Sequence, residues 1–483
     1  RAACIWKETK KMKRTKIVAT MGPASSSEAV LTQLVQAGMN VARLNFSHGE
    51  YAVHGSTVQA IRAVDEKLGT HTALLADLQG PKLRVGDIEG GKMDLVAGET
   101  LTIRTGNGVG SGNEVFTNYV DFARDVQAGE PVLLDDGKLR LHIVESNGKD
   151  AVTCKVIHGG VLKPRKGINL PSTSISLPCI TPKDANDLDF ALAQDVDWIG
   201  LSFVRKASDI HELRALIKKA GKHARIIAKI EKPEALDDLD AILEATDAVM
   251  VARGDLGVEI PMQEVPMVQK DIIRRCMAIG RPVIVATQMM ESMIESAVPT
   301  RAEVNDVANA VLDGADAVML SAETSVGAYP VEAVSAMTLI VESMESHDGM
   351  YNYERPPLSK TDERFVSDSM CYNACRLAKR VEAKAIVTMT FSGYTAIQVS
   401  SQRPKAHIYM FTANTKILGQ MSLVWGVTAY PYQKMVSTDH TIADIKFELT
   451  KLGQVQSGDM VVHMASMPIA DAGMTNMVKL SQV

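Results

Sequence analysis

Residues 225–255, RIIAKIEKPEALDDLDAILEATDAVMVARGD, contain the unit from which most of this chain is built. RIIAKIE (225–231) and AVMVARGD (248–255) are short, rich in β-branched residues and almost wholly apolar until their last positions, with a helical pattern between them. A strand that is apolar at every position, rather than at alternate ones, is buried on both faces, as in a parallel sheet flanked by helices. Both runs close on charge: Lys229 and Glu231 in the first, Arg253 and Asp255 in the second.

The same unit recurs on either side: KIVATMG (16–22), VARLNFS (41–47), TALLADLQG (72–80), WIGLSFV (198–204), PVIVATQM (282–289) and AVMLSAE (317–323). Helical stretches with start and stop signals separate them. SSSEAVLTQLVQAG (25–38) opens on serines and stops at Gly38, Thr181 precedes Pro182 and Asp184 as an N-cap, and Thr300 with Glu303 reads as a capping box. Eight strand-then-helix units predict an α/β fold of the (β/α)8 TIM barrel type, with a doubly wound open sheet as the competing arrangement.

One connection is far longer than the others. Between the third and fourth strands KMDLVAGETLTIRTG, PVLLDDGKLRLHIVE and DAVTCKVIH alternate apolar and polar residues and turn at Gly-Lys, Asp-Gly and Asn-Gly pairs. This predicts a small antiparallel β-barrel inserted over the barrel mouth as a lid. After about residue 350, RPPLSK reads as a linker, and AKAIVTMT, HIYMFTA and DMVVHMAS alternate with helices as in an open α/β domain. The expected division is an N-terminal segment 1–15, a catalytic barrel 16–81 and 181–352, a lid 82–180 and a C-terminal domain 353–483.

The 483 residues suit about three domains. The net charge of -5 argues against nucleic acid or an anionic membrane as partner. Cys4, Cys154, Cys179, Cys276, Cys371 and Cys375 form no C-x-x-C pair, and the start RAACIWKETKKMKRTK has no secretory apolar core, so a reducing, cytoplasmic setting is expected. Two glycine-rich decoys are set aside. GDIEGGK (86–92) lacks the P-loop hydroxyl, with Met93 in its place, and GNGVGSG (106–112) opens no helix.

In a strand, residues two apart share a face, so Arg43, Asn45 and Ser47 are expected together, as are Lys229 and Glu231. Buried charge at one strand end can be a structural ion pair. Here Asp77, Thr287 and the pair Ser321 with Glu323 also close strands, and convergence of so many on one barrel face favours a site. Glu231 and Asp255 are hard oxygen donors suited to magnesium or manganese bridging to a phosphate. Arg43 and Lys229 can neutralise a phosphoryl group in flight, and Gly254 lets backbone N–H groups approach an anion.

The strings MNVARLNFSHG (39–49), AKIEKPEAL (228–236), VMVARGDLGVEIP (249–261), VIVATQMMESM (283–293) and RAEVNDVANAVLDGADAVMLSAETSVGAYPVEAV (301–334) resemble the pyruvate kinase family. The resemblance runs in order from about residue 16 to 350 and continues more loosely through the lid and C-terminal domain. It implies phosphoryl transfer from phosphoenolpyruvate to ADP, giving pyruvate and ATP, by a magnesium-dependent homotetramer. It also implies that Lys229 stabilises the phosphoryl group and the enolate, that Glu231 and Asp255 hold the metal, and that Arg43 contacts the substrate phosphate. Gly254, Asp255 and Thr287 match the substrate-carboxylate pocket, and Ser321 with Glu323 a proton path. Asn45, His48, Arg84 and Lys166 match nucleotide contacts.

One departure from the family pattern is informative. Where many members carry D-T-K-G-P-E and need potassium, this chain reads Asp77-Leu78-Gln79-Gly80-Pro81-Lys82. The lysine can supply the charge of the monovalent cation and would repel that cation, so no potassium requirement is expected, although Asn45, Ser47 and Asp77 are retained. In the C-terminal domain TFSGYT (390–395) resembles the family's effector phosphate loop, with Thr390, Ser392, Gly393 and Thr395 as candidate contacts. MPIADAGMTNMVKL (467–480) lacks the tryptophan and arginine of bisphosphate-activated forms, so a monophosphorylated sugar or nucleotide is as plausible an effector. Two other readings are a lyase acting on phosphoenolpyruvate or an enolate, and a silent homologue. The lid residues weigh against the first and the complete site against the second.

Overall fold

The computed structural model describes residues 13–357, 359–434, 437–468 and 473–483. Its centre is a closed barrel of eight parallel strands: β1 (Lys16–Thr20), β2 (Val41–Asn45), β3 (Ala73–Asp77), β4 (Trp198–Leu201), β5 (Arg225–Ile230), β6 (Ala248–Ala252), β7 (Val283–Ala286) and β8 (Ala317–Leu320). Each pairs with its sequence neighbours, and β1 closes on β8 with Lys16 opposite Ala317. Val18, Val41, Leu75, Trp198, Ile227, Met250, Ile284 and Met319 fill the interior. The intervening residues face the surrounding helices in a larger apolar layer. The uniform hydrophobicity of the strands is the sequence trace of these two cores.

The helix signals act as expected. Thr181 and Asp184 form a reciprocal capping box before Pro182–Ala193, as do Thr300 and Glu303 before Arg301–Leu312, and Ser27 caps Glu28–Ala37. Every barrel strand ends before its apolar run does, and two of these endings bear on the site. AVMVARGD leaves the sheet at Ala252, and Arg253–Glu259 is already helix, with Asp255 in the first turn where an acid suits the helix dipole. VARLNFS leaves it at Asn45, whose side chain accepts the Ser47 N–H at 3.1 Å in an Asx turn. Ser47 therefore does not share the strand face of Arg43 and Asn45.

Between β3 and β4 lies the inserted segment expected as the lid, mostly β with one short helix, Phe122–Asp125, and with its own core. Its six-stranded sheet runs Ile168–Asn169, Pro131–Leu134, Leu139–Ser146, Ala151–His158, Thr100–Thr105, Glu114–Thr117. The sheet is not wholly antiparallel: Thr100–Thr105 and Glu114–Thr117 are parallel. The glycine-rich run 106–112 causes this, because Gly106 and Gly112, at φ +116° and +63°, let the chain double back twice within a few residues. The C-terminal part holds a five-stranded sheet in the order Val427–Pro431, His407–Thr412, Ala385–Met389, Met460–Ala465, Met477–Gln482, parallel but for the last strand.

Among the described residues no helix is long and apolar enough to cross a membrane. Cys154, Cys179, Cys276, Cys371 and Cys375 are free and buried, and Cys4 lies outside the described residues.

Candidate active site

The inward face of each strand is set by its apolar core residue, and stepping two positions onward reaches the mouth. From Val18 the next is Thr20, from Val41 Arg43, from Leu75 Asp77 and from Ile227 Lys229. These four meet. Arg43 donates to Asp77 Oδ2 through Nε and lies 2.6 Å from the same oxygen through Nη2, while its Nη1 donates to Thr20 Oγ1 at 2.9 Å. Lys229 Nζ lies 3.1 Å from Asp77 Oδ1 and 3.0 Å from Glu231 Oε1, and donates to Ser202 Oγ at 2.7 Å. Asp77 is thus a counter-ion shared by two cations. Gly200 lies close against it: a Cβ there would sit 3.1 Å from Asp77 Oδ1, a tight contact that would press on the carboxylate.

Charge survives burial here because of that sharing. Burial opposes the Asp77 carboxylate, but Lys229 and Arg43 outweigh it and hold its pKa below the ordinary value. Burial likewise opposes the Lys229 ammonium, yet Asp77 and Glu231 raise its pKa above that of a free lysine. Glu231 differs: burial pushes its pKa up, only partly offset by Lys229 and by the Phe203 N–H donated to Oε2 at 2.7 Å. It is the carboxylate of the cluster most in need of another positive charge.

Asp255 faces the cluster from the neighbouring helix, with Lys82 Nζ 3.4 Å from its Oδ1. Beside it, Gly254 N–H donates to Thr287 Oγ1 at 2.8 Å, and that hydroxyl donates to Ala286 O at 2.6 Å. Thr287 and Gln288 both have left-handed backbones, at φ +70° and +53°, a conformation a β-branched residue rarely adopts. Arg253 enforces it by donating to Thr287 O at 2.7 Å while held by both oxygens of Asp306, at 2.7 and 2.8 Å. Just past β8, Ser321 N–H donates to Glu323 Oε2 at 2.6 Å, and burial pushes the Glu323 carboxyl up.

Towards the lid, the His48 pKa is lowered by burial and by Arg84, Lys82, Arg43 and Lys183, so a strongly cationic wall lies beside Asn45. Arg84 Nη1 donates to Arg165 O at 3.0 Å, and Lys166 Nζ is 2.7 Å from Asp135 Oδ1 within the lid. Leu78 O accepts from Ser202 Oγ at 2.6 Å. The loop 390–395 lies elsewhere, in the C-terminal sheet layer. Gly393, at φ +81°, caps helix Tyr394–Ser401, Thr390 Oγ1 accepts the Gly393 N–H at 3.2 Å, and Thr395 and Thr475 hydroxyls are 2.6 Å apart. Residues 469–472 of the second candidate loop fall outside the described residues.

Thr20, Ser202 and Asp306 belong to this cluster and were not singled out from sequence. Thr20 and Ser202 are single hydroxyls in apolar runs, and Asp306 lies in an ordinary amphipathic helix. Its one sequence signal is an acid three residues after the Thr300–Glu303 cap. Among the described residues no three His, Cys, Asp or Glu side chains are grouped to hold a metal. The two carboxylates Glu231 and Asp255, each facing a lysine, fit a hard divalent ion completed by substrate oxygens.

The chain matches the family model "Pyruvate kinase, barrel domain" over residues 12–334 and "Pyruvate kinase, alpha/beta domain" over 368–481. It is 44% identical over 473 residues to a pyruvate kinase of Bacillus licheniformis, covering 97% of this chain and 80% of that protein. A pyruvate kinase of Mycobacterium tuberculosis is 43% identical over 471 residues, covering 98% of both. The crystal structure of a pyruvate kinase from Cryptosporidium parvum superposes with a TM-score of 0.90 at 35% identity, covering 97% of this chain and 96% of that one. With both family models matched in order and the relatives aligned over nearly its whole length, the chain is a phosphotransferase that belongs to the pyruvate kinase family.

Proposed function

We propose that this chain transfers the phosphoryl group of phosphoenolpyruvate to ADP, using magnesium or manganese held by Glu231 and Asp255 and requiring no potassium. The observation that carries the reading is the shared counter-ion. Asp77 holds Arg43 and Lys229 at the mouth of the barrel with both side chains charged, so two fixed cations converge where a phosphate would sit. In the reaction the bond from phosphorus to the enol oxygen breaks, and a bond from phosphorus to the terminal ADP oxygen forms. The enolate left behind then takes a proton on carbon to give pyruvate.

Arg43 contacts the phosphate, and Lys229 follows the negative charge from phosphoryl oxygen to enolate oxygen. Gly254 N–H, Asp255 and Thr287 line the carboxylate pocket, with the Thr287 hydroxyl held between Gly254 N–H and Ala286 O. Glu231 and Asp255 would hold a divalent ion, which would supply charge neutralisation for the phosphoryl group. Asn45, His48 and Arg84 with Lys166 of the lid receive ADP, and Ser321 with buried Glu323 carries protons. Lys82, 3.4 Å from Asp255, brings the positive charge that a monovalent ion brings elsewhere. The residues of 390–395 bind a phosphorylated effector, and the working enzyme is a cytoplasmic homotetramer.

The test is ADP-dependent pyruvate formation in buffer free of sodium and potassium, with and without magnesium. The expected result is metal-dependent turnover that is insensitive to added potassium. A many-fold rise with potassium refutes the role of Lys82. Pyruvate formation without ADP points instead to the lyase reading, and no turnover at all to the silent homologue.

A further inference from the structure

A second buried charge cluster lies just outside the mouth and has no part in the reaction above. Glu259 ends the helix Arg253–Glu259 and is 4% exposed. Its Oε2 is 2.9 Å from Lys232 Nζ, and its Oε1 accepts from Asn169 Nδ2 at 2.8 Å. Lys232 and Asn169 are themselves 4% and 9% exposed. Three segments meet here. Lys232 follows Glu231, Glu259 lies one helical turn beyond Asp255, and Asn169 belongs to the lid strand Ile168–Asn169, three residues past Lys166.

A carboxylate buried this deeply is costly unless both oxygens are engaged. Here one oxygen is engaged by the barrel and the other by the lid, so lifting the lid gives up a hydrogen bond to a charged acceptor. The contact is also selective. Asn169 pairs with Leu133, the Asp135 N–H donates to Gly167 O, and Asp135 holds Lys166, so the strand that reaches Glu259 is rigidly tied to the lid's candidate nucleotide contact. Gly137 packs against the same helix end, where a Cβ would lie 3.6 Å from Val258 Cγ1.

We infer that Glu259 is a positioning residue that couples the seat of the lid to the two metal carboxylates, through Lys232 on one side and its own helix on the other. The inference rests on the assignment of Glu231, Asp255 and Lys166 proposed above. It predicts that weakening the lid side of the clamp harms ADP capture while sparing phosphoenolpyruvate, whose contacts all lie on the barrel.

Asn169→Ala removes the lid contact but leaves the Lys232–Glu259 pair, so the fold should hold. In the nucleotide-free enzyme, amide exchange in residues 132–135 and 166–169 should quicken by about tenfold, as expected on losing a hydrogen bond to a charged acceptor. KM for ADP should rise about tenfold as the seated lid becomes a minority state, with KM for phosphoenolpyruvate unchanged. Asn169→Asp, which opposes two carboxylates, should be worse. Adding Glu259→Gln to it restores one carboxylate facing one amide and should recover much of the loss. Unchanged exchange overturns the clamp. Faster exchange with KM values for both substrates rising together, or with neither rising, overturns the coupling to nucleotide capture. A wild-type enzyme that forms no pyruvate overturns the reaction instead, and the exchange result still decides whether the clamp exists.

Discussion

Lys229 keeps its proton in a setting that on its own would remove it, and the balance of magnitudes shows why. Burying an ammonium costs several kcal/mol. At an effective dielectric of about 20, each contact near 3 Å with a carboxylate returns about 5 kcal/mol, and Lys229 has two, to Asp77 and Glu231. The charge is therefore permanent and pre-oriented, which is what stabilising a developing anion requires. Lys229→Met should lower kcat by at least about 10³-fold while circular dichroism keeps the wild-type fold, because Arg43 still neutralises Asp77; the melting transition should fall, since Glu231 loses its cation. Near-normal kcat would remove Lys229 from its assigned role. Lys229, Glu231 and Arg43 could be read from sequence because a charge closing an otherwise apolar strand is conspicuous. Ser202, which bonds both Lys229 and Leu78 O, could not, since a serine in WIGLSFV carries no signal until folding brings β5 beside it.

At the scale of elements, β5 connects two distant parts of the molecule. Its last turn outward presents Lys229 and Glu231 to the mouth. Its first residue, Arg225, donates from Nη2 to Ser392 O in the loop 390–395 and from Nε to Gln420 Oε1, each at 2.8 Å. A strand advances roughly 3.3 Å per residue, so the candidate effector loop and the catalytic lysine are the two ends of one stiff rod some four residues long. If a phosphorylated sugar or nucleotide acts at 390–395, Arg225→Met should still show its thermal-shift response but lose its effect on KM for phosphoenolpyruvate. Activation that persists in Arg225→Met excludes β5 as the route, and a wild type shifted by no phosphosugar excludes the effector site. The strands themselves were legible because double-faced burial leaves a continuous apolar run. Their ends were less so: Arg253 and Asp255 follow AVMVA without a break in pattern, and the helix that starts there has its first-turn Gly254 N–H met by Thr287, a residue distant in sequence. The lid's parallel pair was hidden because alternation specifies which face a residue takes, not which direction its partner strand runs.

Over the whole molecule, the barrel face opposite the mouth is seated on the C-terminal domain, and ionisable groups are buried in that seam. Asp197 Oδ2 accepts the Leu74 N–H at 2.8 Å and lies 3.3 Å from Arg62 Nη2, while Gly419 presses so closely on the carboxylate that no side chain would fit there. Burial, only partly countered by Arg62 and the Leu74 N–H, raises its pKa to about 6. The unfolded value is about 3.9, so between pH 4 and pH 6 the folded state binds more protons than the unfolded one. Stability conferred by this group therefore falls as pH rises through that window, and the loss, on the order of 3 kcal/mol, is complete above it. Lys16, which donates to Val427 O at 2.8 Å in the same seam, works in another window. Burial, against the pull of Glu345, lowers its pKa to about 8, so its contribution to stability improves only as pH rises from about 8 towards the unfolded lysine value near 10.4. Asp197→Asn keeps an acceptor for Leu74 but cannot titrate. Measured as the melting midpoint of variant minus wild type, its advantage should grow steadily from pH 4 to pH 6 and then stay level to pH 7.5, below the Lys16 window. A difference that is flat across this range would mean that Asp197 ionises as freely in the seam as in water, and that the seating of the barrel on the C-terminal domain does not depend on its charge.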